Sequence, residues 1–267
     1  MTPRAAKVPG VDQAESLITY EQPLAERMRT FLRLEFLAQQ ANHHSLQSSA
    51  WSSRAAVDSL LEILTILGRG DIRSEVLKEL ERQASLLAPF SARSGVDTSR
   101  LDALLDKVSQ LRSALAQVGA HYVQELKESE FLSAIKHRSA IPGGTCEFDL
   151  PDFKHWLNLS YEQRAKDFQA WFAAIKPLCD AVAQLLWLTR ESAEGKPMIA
   201  KGGLFQHSLE RGTACQLLRV SLAVPSAVYP EISGSQHRFT IRFLSWEGIQ
   251  QRPAQAIGDV DFTLSCC

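Results

Sequence analysis

The sequence predicts an α+β protein: an N-terminal, mainly α-helical domain and a smaller antiparallel β-sheet domain near the C-terminus. Three observations predict it. From Pro23 to about residue 190, apolar residues recur at spacings of three and four. From Leu217 onward the repeat changes to two. Between 194 and 214 the chain is polar and glycine-containing, which reads as the joint. The expected organisation is a flexible leader over 1–15, a helical domain over 16–193 and a β-domain over 194–267.

Each element follows in order. Leu17 to Tyr20 is a candidate short strand. A helix is expected from Pro23 through "PLAERMRTFLRLEFLAQQANHH", with proline in its first turn. A second covers Ala50 to Leu67 and stops at Gly68. In "GRGDIRSEVLKELERQ" the RGD tripeptide reads as punctuation: Gly70 closes one helix and Asp71 caps the next. After Asp97, the residues Leu101, Leu104, Val108, Leu111, Leu115 and Val118 form a heptad seam. It is shorter than the three to four heptads that argue for a coiled coil, so it suits a core-facing bundle helix or, more sharply, a dimer seam. A further helix runs to about Arg138.

Pro142-Gly143-Gly144 is a turn signal, and 145–150 is expected to be a strand joining the β-domain. Ser160 with Gln163 forms a capping-box pattern. Pro177 predicts a break or kink in the helical region that follows. Three strands close the chain, with core rows Leu218–Val220–Leu222–Val224, Phe239–Ile241–Phe243 and Val260–Phe262–Leu264–Cys266. Cys266 thus continues a buried row and Cys267 ends it, so substitution at Cys267 is expected to be nearly silent.

Composition narrows function. Residues 1–135 carry 15 basic and 17 acidic side chains, and residues 136–267 carry 14 and 13, so neither half is a polycation. Nucleic-acid binding is not expected. No apolar run reaches the roughly 18 residues of a bilayer span, and residues 1–16 lack a secretory h-region, so neither membrane insertion nor export is expected. The five cysteines show no CxxC and no zinc-ligand spacing, and read as structural thiols. The adjacent Cys266 and Cys267 suit neither a shared metal nor a disulfide between them. There is no phosphate loop, dinucleotide fingerprint, HExxH or nucleophile elbow. Neither an enzyme nor a bound cofactor or metal is expected.

What remains is arginine placement. At about 100° per residue Arg29, Arg33 and Gln40 share one helix face, opposite Leu24, Met28, Phe31 and Ala38. Arg219, Arg238 and Arg242 share the non-core face of the β-sheet by period. Arginine's planar fork suits a carboxylate partner. A solvated face, or pairing with Asp259 and Asp261, is the alternative. Phe153 and Trp156, beside Lys154 and His155, are either an apolar wall of a site or core aromatics.

Five separated stretches, in order, resemble the ZapD family of bacterial cell-division proteins: "ERMRTFLRLEFL", "RSEVLKELERQ", "IPGGTCEFDLP…WL", "YPEISGSQHRFTIRFL" and the terminal "CC". The resemblance runs from about Glu21 to Cys267. It implies a helical domain joined to a smaller β-domain, a homodimer, no catalysis and no cofactor. It also implies binding to the C-terminal tail of FtsZ, crosslinking and bundling of filaments, and a cytoplasmic location at the midcell division site. An acidic, partly apolar tail suits the basic faces read from spacing, and the residues expected to bind it are Arg29, Arg33, Arg138, Lys154, His155, Arg219, Arg238 and Arg242. Three residues after the proline of "DLP", where the family pattern has histidine, stands Lys154, with His155 next. The alternative is a monovalent regulator that docks an acidic peptide or helix without bundling.

Overall fold

A computed structural model describes residues 16–119, 121–209, 215–235 and 237–267; the leader expected over 1–15 lies outside them. The chain forms two compact units. Glu26–Arg190 is helical, and the segment ending at Ala25 joins Glu191–Cys267 in a β-unit. The α+β class is therefore as the period change predicts.

The helical unit is built from α1 (Glu26–Ser45), α2 (Ala50–Leu67), α3 (Ile72–Leu87), α4 (Thr98–Gln117), α5 (Gln124–Glu128), α6 (Glu130–Ser139), α7 (Pro151–Leu157), α8 (Tyr161–Ala173) and α9 (Lys176–Glu191). Its boundaries follow side-chain caps. Asp71 Oδ1 accepts from Ser74 N at 3.1 Å, Asp97 Oδ1 from Arg100 N at 3.1 Å, and Ser160 Oγ from Gln163 N at 3.3 Å. Each supplies a partner to an amide that the helix leaves unpaired. Gly68, rather than Gly70, caps α2, through its N–H to Leu64 O at 3.0 Å. Pro177 sits in the first turn of α9, and α8 and α9 meet at 68°. No single helix among the described residues is long and apolar enough to cross a membrane.

α1 packs along α2, and α4 packs on α3. The α4 seam turns inward: Leu101, Val108, Leu111 and Leu115 are buried. That is the bundle-helix reading of the heptad pattern. Arg73 of α3 ties off the end of α4, donating to Leu115 O at 3.1 Å and Ala116 O at 2.9 Å, where helix carbonyls lack partners. Glu79 is buried on α3 and is held by Arg27 at 3.0 Å and by Arg82. A carboxylate in that position requires such pairing.

The β-unit contains β1 (Leu17–Pro23), β2 (Lys196–Ala200), β3 (Leu204–Ser208), β4 (Leu217–Ala223), β5 (Val228–Gly234), β6 (Arg238–Ser245), β7 (Ala254–Gln255) and β8 (Val260–Cys266). One antiparallel sheet has the order β1-β4-β8-β2; the other is β3-β6-β5, with β7 beside β6. The three expected rows face one core: Leu218, Val220 and Leu222, Phe239, Ile241 and Phe243, and Phe262 and Leu264. The two sheets close over it as layers of a small sandwich.

Four expectations need correction. The first helix starts at Glu26, not Pro23, because Pro23 ends β1 opposite Leu217. An edge strand tolerates a proline, whose missing N–H breaks no interior ladder. The joint over 194–214 contains β2 and β3, each five residues long. Together they bury only Ala200, so no alternation marks them, and their ladders come from β8 and β6. Residues 145–150 are turns inside the helical unit rather than a strand. Cys146 N donates to Gly143 O at 3.0 Å and Leu150 N to Cys146 O at 3.1 Å. A Cβ at Gly144 would lie 2.4 Å from Arg138 O, so the glycine permits a reversal that a strand would not need. Finally, Cys267 is buried and Cys266 is half-buried. The ladder runs one pair past β8, through Cys267 N to Leu217 O at 2.9 Å and Leu217 N to Cys267 O at 3.0 Å. At this end both faces of the sheet are covered: Leu217, Leu218 and Ser265 are all buried.

Candidate functional site

The proposed binding residues divide between the two units. In the helical unit, Arg29 and Arg33 lie on α1 away from the buried row Met28, Phe31 and Ala38, as the helical wheel predicts. Arg29 Nε is engaged by Glu26 Oε2 at 3.1 Å. Arg33 is exposed and has no acidic partner among the described residues.

Arg138 of α6 and Lys154 of α7 converge on one turn. Arg138 Nη1 is 3.4 Å from Asp149 Oδ1, and Lys154 pairs with Glu147. The intervening Phe148 is 87% exposed, so the turn presents an apolar ring between two ion pairs. His155 points to solvent. Phe153 and Trp156 are core rather than wall. Phe153 is fully buried, and Trp156 Nε1 donates to Asp167 Oδ2 at 2.9 Å. Sequence reasoning missed Arg54. Its Nη1 donates to Thr145 O at 2.9 Å and Thr145 Oγ1 at 2.8 Å, and its guanidinium lies 4.7 Å from the Phe153 ring centroid. The only local signal was an arginine three residues after Trp51 on α2.

In the β-unit the shared arginine face is two faces. Arg219 is on β4, whereas Arg238 and Arg242 are on β6 of the other sheet. Both sheets direct their apolar rows to the common core, so Arg219 faces out on one side and the β6 arginines on the other. The expected acidic partners are also different. Arg219 Nε meets Glu21 Oε1 at 3.1 Å across β1 and β4, and Arg242 pairs with Glu231 across β5 and β6. Asp259 instead holds Lys201 Nζ at 2.6 Å and Gly202 N at 3.0 Å, which keeps its carboxyl below the ordinary range. Register decides this, since the chosen partners are the residues directly opposite.

Arg238 has no such partner among the described residues and is exposed. It borders a polar groove of about 760 Å³ together with Gln206, His207, Ser208, Ser233 and Ser235. Arg242, two positions further on the same face, extends the positive strip along β6. A guanidinium with no acidic partner among the described residues, beside hydroxyl and amide donors, is suited to a carboxylate-bearing ligand.

The ZapD cell division protein family profile matches residues 32–242. The chain belongs to the ZapD family. A cell division protein ZapD from Methylococcus capsulatus is 40% identical over 251 residues, covering 94% of this chain and 98% of that protein. A ZapD from Janthinobacterium sp. is 39% identical over 251 residues, covering 94% and 99%. The family places the chain in bacterial cell division. Of the expected tail-binding arginines, Arg33 on α1 and Arg238 on β6 have no acidic partner among the described residues, whereas Arg29, Arg138, Arg219 and Arg242 each meet one.

Proposed function

We propose that this ZapD-family chain binds the C-terminal tail of FtsZ and, as a homodimer, crosslinks FtsZ filaments into bundles at the midcell division ring. Arg238 supports the reading: an exposed arginine with no acidic partner among the described residues, beside a polar groove, on a strand that also bears Arg242. Arg33 on α1 is a further exposed arginine with no acidic partner among the described residues. Tail carboxylates would take the guanidinium fork, while apolar tail residues would need neighbouring apolar surface. Two identical sites on one particle would raise avidity through effective concentration, without any new contact.

The test is sedimentation with FtsZ polymers, paired with light scattering of the protein alone. A crosslinker gives pelletable bundles and a particle of twice 29.7 kDa. Co-pelleting of single filaments by a 29.7 kDa species would support the monovalent regulator instead.

A further inference from the structure

The start of β4 and the end of β8 bring two thiols together. Leu218 is opposite Cys266 in the ladder, and Cys215 precedes β4 and reaches back to the same place. The two sulfurs are 3.0 Å apart, about 1 Å beyond the ~2.05 Å of a disulfide bond. The remaining gap is small, because Cys215 lies two residues before β4, whose Leu218 is paired with Cys266 in the ladder. Cys267 is not an equivalent partner: along a strand it points to the face opposite Cys266.

The two thiols are chemically distinct. Cys215 is only 1% exposed and Cys266 is half-buried, so a small oxidant reaches Cys266 first. The Cys215 S–H donates to Cys266 Sγ. That hydrogen bond, aided by nearby Lys196 and opposed by burial, pushes the Cys266 thiol down. The same bond and burial push Cys215 up. Low acidity marks the protonated, resolving thiol, and the thiolate is the nucleophile. By contrast, burial raises Cys179 to about 12, which leaves it inert.

We propose that Cys215 and Cys266 form an oxidation site in which a hydroperoxide converts the dithiol into an intrachain disulfide. The Cys266 thiolate attacks one oxygen of hydrogen peroxide. The S–O bond forms, the O–O bond breaks, and the departing hydroxide takes a proton to become water. Cys266 is then a sulfenic acid, oxidised by two electrons. With the thiolate gone, the charge that held Cys215 protonated is gone too. The Cys215 sulfur gives up its proton and attacks Cys266 Sγ; the S–S bond forms and the S–O bond breaks. The hydroxide leaves with that proton as a second water. Two thiols and one peroxide thus become one disulfide and two waters. The bond ties the C-terminal strand to β4 and closes a loop between residues 51 apart in sequence, restricting the unfolded chain.

The experiment treats the reduced full-length protein with hydrogen peroxide, blocks remaining thiols, and maps disulfides by non-reducing digestion and mass spectrometry. The expected product links the Cys215 and Cys266 peptides within one chain and raises the thermal midpoint, reversibly with dithiothreitol. In Cys215→Ser, dimedone is expected to trap a sulfenic acid at Cys266; in Cys266→Ser, Cys215 is expected to remain a thiol. Circular dichroism confirms that each variant is folded, and the wild-type map decides the matter if one is not. A Cys266–Cys267 bond, a disulfide between chains, or unmodified Cys215 and Cys266 after peroxide treatment overturns the proposal.

Discussion

Arg242 and Glu231 are direct cross-strand partners on β6 and β5 and form an ion pair, both about half exposed. Four residues away on the same strand, Arg238 has no acidic partner among the described residues. A tail carboxylate reaching Arg242 would have to displace Glu231, whereas one reaching Arg238 would displace no acidic partner among the described residues.

Arg238→Glu is therefore expected to weaken FtsZ tail-peptide binding more than Arg242→Ala. Losing a charge-assisted contact costs about 1.5–3 kcal/mol, roughly tenfold or more in Kd. The exposed Arg242–Glu231 pair contributes about 0–1 kcal/mol to stability, so neither variant should melt much earlier than the parent. Fluorescence anisotropy with the peptide, alongside thermal melts, checks this. Equal, undiminished binding by both folded variants would remove the β6 strip as the site.

Leu115→Ala should destabilise the helical unit. Leu115 is fully buried at the end of the α4 seam, and such truncations cost about 2–5 kcal/mol through lost transfer energy and the cavity left behind. Because the seam faces its own bundle, light scattering should give the same particle mass for variant and parent. A variant that dissociates without losing melting temperature would revive the dimer-seam reading.

Acid should loosen the helix starts. Asp71 is held below its ordinary 3.8, first by the Ser74 hydroxyl and then by the Ser74 amide. Its folded pKa lies below its unfolded value, so its contribution is complete above about pH 4 and is lost as pH falls through the folded pKa. Asp71→Ala is expected to cost about 1 kcal/mol at neutral pH, as for loss of an N-cap. The gap between variant and parent should narrow in urea melts as pH falls below 4. A gap that stayed constant with pH would show that the carboxylate charge is not what stabilises α3.

Cys267→Ser is not expected to be silent. Cys267 is buried at the sheet end, and replacing its sulfur with a hydroxyl in that place costs on the order of 1–3 kcal/mol if the hydroxyl is left poorly bonded. A lowered melting temperature with unchanged secondary structure is the expected result. An unshifted melt would mean that the chain end relaxes to solvent.

Sequence period and capping chemistry were sufficient for most of the helical unit and for three of the strands. Asp71, Asp97 and Ser160 carry short-range hydrogen bonds whose donors lie within three residues, so their meaning is local. The inward rows of β4, β6 and β8 read out directly because one face of each strand is apolar. β2 and β3 did not, because they bury only Ala200 and so show no apolar row of their own, and their ladders come from strands tens of residues away. The same distance hid the fate of the arginines. Spacing put Arg219, Arg238 and Arg242 on non-core faces, but only the tertiary structure placed Arg219 on a different sheet and chose its partner.

By itself, then, the sequence determined what each residue does along its own element: which face is apolar, where helices begin, and which side chains are charged and outward. Tertiary structure decided which elements become neighbours. It joined the segment before Ala25 to the C-terminal sheet, paired Glu21 with Arg219 and Glu231 with Arg242, left Arg238 without an acid among the described residues, and set Cys215 against Cys266. The reason is physical. Periodicity and caps arise from interactions a few residues apart, whereas strand register, ion-pair choice and thiol proximity are set by packing two sheets around one core.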